Sequence, residues 1–225
     1  MEYFTLEEGL TKPYFLDKAS YIAARVLDVK PGDKVLDMCA APGGKSLILA
    51  LSTGSTGSLI SNDRSLARCA RLKKVLNEYL PPDIRAIVRV THHDAATWFR
   101  YEQNGYDKIL LDVPCSSERH VFNSPYHLKK WSPSRTKQLS QQAYAMLASA
   151  LEVVKTKGII LYCTCALSPL ENDGVIAKLL AKRTDKAGVI PLKESIGEKT
   201  VFGWQIWPDT SSGLGPIYFS KIRKL

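Results

Sequence analysis

The sequence predicts an α/β fold: a mixed, mostly parallel sheet of seven strands, with helices on both faces and an antiparallel hairpin at its end. Three observations carry this expectation. Short apolar, branched runs alternate with longer helix-like stretches, as stacked βαβ units require. One long stretch, 135–154, repeats apolar residues at Leu139, Ala143, Met146, Leu147, Ala150, Leu151 and Val154, which makes a single buried helical face. The last two strand-like runs are joined by PDTSSGL, a loop of turn residues too short for a crossover helix, so they pair antiparallel.

In chain order the expected strands are 34–38 (KVLDM), 58–62 (SLISN), 86–91 (AIVRVT), 107–113 (DKILLDV), 158–165 (GIILYCTC), 199–207 (KTVFGWQIW) and 215–222 (GPIYFSKI). The expected helices are 16–27, 45–51, 65–79, 135–154 and 171–181. No repeat, low-complexity block or linker interrupts them. The 225 residues fit one sizeable domain, read as a helical lead-in over 1–30 and a core over 31–225. In open sheets of this kind the ligand lies beyond the carboxyl ends of the strands, so the residues that follow each strand are read first for function.

Lysine and arginine total 31 against 22 acidic residues, a formal charge of +9. Such a balance attracts polyanions, nucleic acid first among them, although a merely basic soluble surface carries the same charge. No apolar run reaches the roughly 18 residues that cross a bilayer, and the opening MEYFTLEEGL carries acidic groups rather than a basic leader. The expectation is a monomer with no membrane contact, cytoplasmic, with a mitochondrial product lacking its leader as the alternative. Five cysteines are too few and too odd in number for a disulfide framework. His92 and His93 have no C-x-x-C partners, so no metal site is expected.

The strand ends hold the chemistry. After the first strand comes Cys39-Ala40-Ala41-Pro42-Gly43-Gly44-Lys45, a turn of small residues feeding a helix, where backbone amides approach a ligand closely. It meets neither the phosphate-loop spacing nor the dinucleotide fingerprint. The second strand ends at Asp63, placed to accept hydrogen bonds from both hydroxyls of a ribose and so pointing to an adenosine-type ligand. Asp94 follows the third strand and Asp112 ends the fourth, so carboxylates converge on one sheet edge. The fourth strand continues to Cys115 and the fifth ends at Cys165, a pair of thiols beside that pocket.

CAAPGGKS, NDRS with Arg68 beyond it, DVPCSS and YCTC followed by PLEND resemble, in order and spacing, the Sun/Nop family of RNA cytosine-5 methyltransferases, over nearly the whole chain. The resemblance implies a Rossmann-like class I methyltransferase fold and S-adenosylmethionine as cofactor. It implies that Gly43, Gly44 and Lys45 line the methionine and ribose side, Asp63 with nearby Arg68 holds the ribose hydroxyls, and Asp94 meets the adenine amine. Cys165, the cysteine of the TC pair, would be the nucleophile that adds to cytosine carbon 6. Asp112 would engage ring nitrogen 3, and Cys115 would assist release of the product. Two positions depart from the usual family pattern. Cys163 replaces a serine and is read as structural, and Ala95 replaces a glycine after the third-strand aspartate.

A cytosine stacked in a helix is out of reach, so the target must be unpaired or turned out. The basic, aromatic segment with Arg119, His120, Lys129, Lys130, Trp131, Arg135 and Lys137 is the candidate RNA contact, against a lid that touches no RNA. Ribosomal RNA is the first substrate implied and transfer RNA the second. A partner protein or ribosomal particle would supply further affinity where the core alone does not. One rival is a DNA cytosine-5 methyltransferase, which the Glu171-Asn172 pair also resembles but in which a TC cysteine has no purpose. The other is a non-catalytic RNA-binding or assembly factor on the same fold.

Overall fold

The computed structural model describes residues 3–117 and 124–225. The chain opens with a two-stranded antiparallel ribbon, β1 (Tyr3–Leu6) and β2 (Tyr14–Asp17), not with the expected helical lead-in. The expected first helix starts two residues late because its first residues pair with β1. Asp17 then caps α1 (Lys18–Val26), its Oδ1 accepting from Ala19 N at 2.7 Å.

The main sheet takes shape from β3 (Lys34–Asp37), β4 (Ser58–Asn62), β5 (Val88–Thr91), β6 (Tyr106–Asp112), β7 (Val154–Thr164), β8 (Ala187–Ile190), β9 (Glu198–Lys199), β10 (Trp204–Ile206) and β11 (Ile217–Lys224). Its order is β5-β4-β3-β6-β7-β11-β10-β9, with β8 paired to the far half of β11. The pairs from β5 through to β7 are parallel, and β11 runs antiparallel to β7, β8 and β10. The order reverses between β3 and β6, which is the switch point where a ligand is expected.

Among the described residues the sheet holds nine strands rather than seven. All seven expected runs contribute, but 199–207 breaks in two. Asp173 is the reason: its carboxylate accepts from Val201 N and Phe202 N at 3.0 Å each and from Thr200 Oγ1 at 2.9 Å, folding the middle of the run into a turn. The extra strand β8 is four residues long with only Ala187 buried, too weak a pattern to stand out from a loop. The third expected strand loses its start to α4 (Pro82–Ala86), which Pro82 opens at its first turn.

Both faces of the sheet are covered, so successive strand residues feed different cores. Val35, Leu110, Leu161 and Cys163 point toward α1, α2 (Gly44–Thr53) and α3 (Leu66–Tyr79). Leu36, Ile109, Leu111, Ile160 and Tyr162 point toward α6 (Pro133–Val153), α7 (Asp173–Lys182) and the short 3-10 helix Ala95–Arg100. A short α5 (Pro125–Lys130) precedes α6, which Ser132 caps through Arg135 N at 3.2 Å. Among the described residues no helix is long and apolar enough to cross a membrane. Leu147, fully buried at the centre of the α6 interface, sets a stability prediction: Leu147→Ala lowers the unfolding free energy by about 2–5 kcal/mol in urea titrations, as cavity formation in a packed core does.

Candidate active site

At the end of β3 the chain turns sharply under α3. Gly43 has φ +125°, and a Cβ there would lie 3.1 Å from both Leu72 Cδ1 and Val75 Cγ1, so only glycine fits between turn and helix. The turn is tied on both sides, by Ala40 N donating to Asn62 O at 2.7 Å and by Arg68 Nη2 donating to Ala41 O at 2.7 Å. Asn62, fully buried, fastens three strand ends together. Its Nδ2 donates to the carbonyls of Met38 and His93 at 3.0 Å each, and its Oδ1 accepts from His93 N at 2.8 Å.

Of the three carboxylates expected at this edge, Asp63 and Asp112 line cavities at the turn, and Asp37 joins them. Asp63 is 2% exposed; its Oδ1 accepts from Ser65 N at 3.0 Å, while Oδ2 has no hydrogen-bond donor among the described residues, with Arg68 Nη2 3.3 Å away. Asp37, which sequence reasoning passed over, is in the same condition. Its Oδ2 accepts from Ser46 Oγ at 2.6 Å and its buried Oδ1 has no hydrogen-bond partner among the described residues. Burial pushes its carboxyl up to about 7, against the Ser46 hydrogen bond and with the nearby Asp112 charge adding to the effect. Its signal in the sequence was an acidic residue inside an apolar strand just before the glycine turn.

Lys45, in the first turn of α2, reaches across to β6. Its Nζ lies 2.7 Å from Asp112 Oδ2 and 3.2 Å from Ser20 Oγ. Burial works against its charge, but the Asp112 carboxylate more than offsets this and holds Lys45 protonated above the usual lysine range. A cavity of about 270 Å³ opens between β2 and the turn, with Asp37, Cys39, Ala41, Gly44, Lys45 and Asp112 in its walls. A smaller one of about 60 Å³ continues past Cys39, Asp63, Arg68, His93 and Pro114. Ala40 and Pro42 also line the first cavity. Asp94 stands apart from both. Its Oδ1 caps the 3-10 helix through Ala96 N at 3.0 Å and its Oδ2 is 3.7 Å from Arg64, while its neighbours His93 and Ala95 line the smaller cavity.

The two cysteines meet as β6 and β7 end. Cys115 Sγ and Cys165 Sγ are 2.9 Å apart, and Ser117 Oγ is 3.1 Å from Cys165 Sγ. Hydrogen bonding from the Cys115 thiol, joined by that from Ser117 and opposed by burial, holds Cys165 below the usual thiol range. The same contact, reinforced by burial, pushes Cys115 well above it. The contact therefore favours charge on Cys165 and the proton on Cys115. Cys165 faces a third cavity of about 530 Å³, whose walls also include Lys45, Arg68, Asp112, Ser117 and Pro216. Cys163 is fully buried in the α1–α2–α3 core.

Of the expected RNA contacts, Lys129 on α5, Trp131 just after it, and Arg135 and Lys137 at the start of α6 are exposed, and none lines these cavities. Arg119, His120 and the Lys130 side chain lie outside the described residues.

The family model described as "16S rRNA methyltransferase RsmB/F" matches residues 24–223. The chain belongs to the RsmB/F methyltransferase family. Among relatives, it is 35% identical over 235 residues to the 5-cytosine rRNA methyltransferase NSUN4 of Mus musculus, covering 96% of this chain and 61% of that protein. It is 33% identical over 234 residues to the mitochondrial tRNA (cytosine(34)-C(5))-methyltransferase of Danio rerio, covering 96% and 62%. The chain thus spans about three-fifths of the length of these curated relatives. A solved structure of a methyltransferase homolog protein from Pyrococcus horikoshii superposes with a TM-score of 0.78 at 28% identity, covering 95% of this chain and 68% of that one.

For an RsmB/F family member with this thiol arrangement, reactivity follows the asymmetry between the two sulfurs. Iodoacetamide at pH 7 labels Cys165 before Cys115, and the labelling midpoint of Cys165 lies at lower pH than that of an ordinary thiol. Cys69 and Cys163, both buried, stay unlabelled until the protein is denatured. Peptide mass spectrometry reads all four positions.

Proposed function

We propose that this chain is an S-adenosylmethionine-dependent RNA cytosine-5 methyltransferase, acting on ribosomal RNA first and transfer RNA second, through a covalent Cys165–cytosine adduct. The observation that carries this reading is the sulfur of Cys165, 2.9 Å from that of Cys115, in a cavity that shares Lys45 and Asp112 with the pocket at the glycine turn. The names of the mouse and zebrafish relatives support the substrate classes. We place the activity in the cytoplasm, with mitochondria as the alternative that the zebrafish relative's name supports. We propose a monomer that needs no metal and takes additional RNA affinity from a partner protein or ribosomal particle.

The residues present suit the cofactor. Among the described residues Asp37 Oδ1 and Asp63 Oδ2 are buried acceptors without a hydrogen-bond donor, Asp63 Oδ2 having only the Arg68 ion pair beside it, and the ligand has an ammonium and a ribose diol to offer. Asp63, with Arg68 beside it, would hold the diol; the turn from Cys39 to Gly44 would follow the ligand's backbone side; Asp37 and Lys45 would sit toward its amino-acid end. When bound, S-adenosylmethionine supplies an electrophilic methyl group on a sulfonium.

The cytosine ring is too electron-poor at carbon 5 to take that methyl unaided. The Cys165 thiolate donates an electron pair to carbon 6, forming a sulfur–carbon bond and moving the ring's double-bond electrons onto carbon 5. Negative charge then builds toward ring nitrogen 3. Asp112 would engage ring nitrogen 3, and Lys45, kept protonated 2.7 Å from that carboxylate, supplies a positive charge at that edge. After transfer, solvent water takes the proton from carbon 5, the electrons of that carbon–hydrogen bond re-form the ring double bond, and the sulfur–carbon bond breaks with its pair going to Cys165. Cys115, the protonated neighbour, stabilises the departing Cys165 thiolate through their existing contact.

With an in-vitro transcript of small-subunit ribosomal RNA, Cys165→Ala lowers 5-methylcytosine formation on the order of a thousandfold or more, and Cys115→Ala accumulates an RNA–protein complex that survives SDS. Activity retained in Cys165→Ala contradicts the reading. Asp63→Ala weakens S-adenosylmethionine binding roughly 10–100-fold by calorimetry, the loss expected for charge-assisted hydrogen bonds. Wild-type protein that binds no S-adenosylmethionine would instead favour an assembly factor.

A further inference from the structure

Beyond the last ladder bond between β6 and β7, from Val113 N to Cys163 O at 3.0 Å, the two cysteine loops are fastened by side chains of one dipeptide. The Glu171 carboxylate accepts from Ser116 N at 3.0 Å and from the Ser116 hydroxyl. Its own carbonyl accepts from the Tyr162 hydroxyl at 2.6 Å, which anchors it to β7. Asn172 grips the other loop on both sides of Cys165. Its Oδ1 accepts from Thr164 Oγ1 at 2.6 Å, and its Nδ2 donates to Ala166 O at 3.0 Å and to Gln205 Oε1 on β10 at 3.1 Å. Thr164, Glu171, Asn172 and Gln205 are all at most 5% exposed.

We propose that Glu171 and Asn172 are positioning residues that set the register of the two thiols. Glu171 holds residue 116, and with it the Cys115 and Ser117 side chains on either side, against Cys165 at 2.9 and 3.1 Å. Asn172 holds the backbone that carries Cys165. Neither lines the cavity that Cys165 faces, so neither is a catalytic residue; they act through the sulfur contact. Buried acceptors of this kind fix geometry because leaving their partners unsatisfied is costly. The proposal rests on Cys165 being the nucleophile.

The test uses the full chain and reads the pH profile of Cys165 alkylation by iodoacetamide, without RNA. In Glu171→Ala and Asn172→Ala the alkylation rate at pH 7 falls about tenfold, because losing these two contacts moves the thiol midpoint up by about one unit. Glu171→Gln, which keeps one acceptor for Ser116, recovers part of the loss. Asn172→Asp, which turns an acceptor toward Ala166 O and Gln205 Oε1, does not. S-adenosylmethionine affinity is unchanged throughout. A lower melting temperature with a wild-type alkylation midpoint overturns the proposal, since that is all a merely structural role would do. If the alanine variants do not fold, an unchanged midpoint in both Glu171→Gln and Asn172→Asp overturns it equally. Methylation that persists in Cys165→Ala marks failure of the catalytic reading instead, a result that the RNA-free profile does not depend on.

Discussion

The ion pair between Lys45 and Asp112, 2.7 Å long with the lysine side chain 15% exposed, is the interaction on which the rest of the site turns. It spans the switch point of the sheet, joining the first turn of α2 to the end of β6. Half-buried charges are costly unless paired, so the pair holds the wall between two cavities in one arrangement. Asp37 and Asp112 also crowd negative charge onto this edge, and Lys45 is the cation that relieves it. Remove the lysine, and two carboxylates face each other across the space that a positively charged ligand would enter.

The pairing of the cysteines is a consequence of parallel register. Because β6 and β7 run side by side, with Asp112 opposite Cys163, residues two or three past that pair emerge together. Sulfurs fifty residues apart in sequence then come within 2.9 Å. A lone half-buried thiol would be mostly protonated at neutral pH. Two in contact, with Ser117 as a second donor, let one give up its proton while the other keeps it. Asymmetry between them follows from surroundings: Ser117 Oγ lies 3.1 Å from Cys165 Sγ and 3.6 Å from Cys115 Sγ, which favours charge on Cys165.

Much of this was legible in the sequence, for physical reasons. Strands β3, β4, β6, β7 and β11 are buried on one or both faces and so read as apolar runs, and the glycine turn announces itself because Gly43 must adopt a left-handed backbone against α3. The cysteines could be placed at the sheet edge from strand ends alone. What escaped notice depends on distant partners. Residues 14–17 are a strand only because β1 lies beside them, and the 199–207 run breaks only because Asp173 reaches its amides from another helix. Asp37 and Asn62 do their work by being buried, which an isolated acidic or amide residue does not reveal. Asp94 looked equivalent to Asp63 by its place after a strand, yet its carboxylate caps a helix.

The central claim is that one particular sulfur bonds to the base. RNA transcribed with 5-fluorocytidine tests it most directly, because fluorine at carbon 5 blocks loss of the proton that frees the enzyme. After incubation with S-adenosylmethionine and digestion, mass spectrometry of the RNA-linked peptide should find the nucleotide on Cys165. A nucleotide on Cys115, or no covalent RNA at all, would contradict the account.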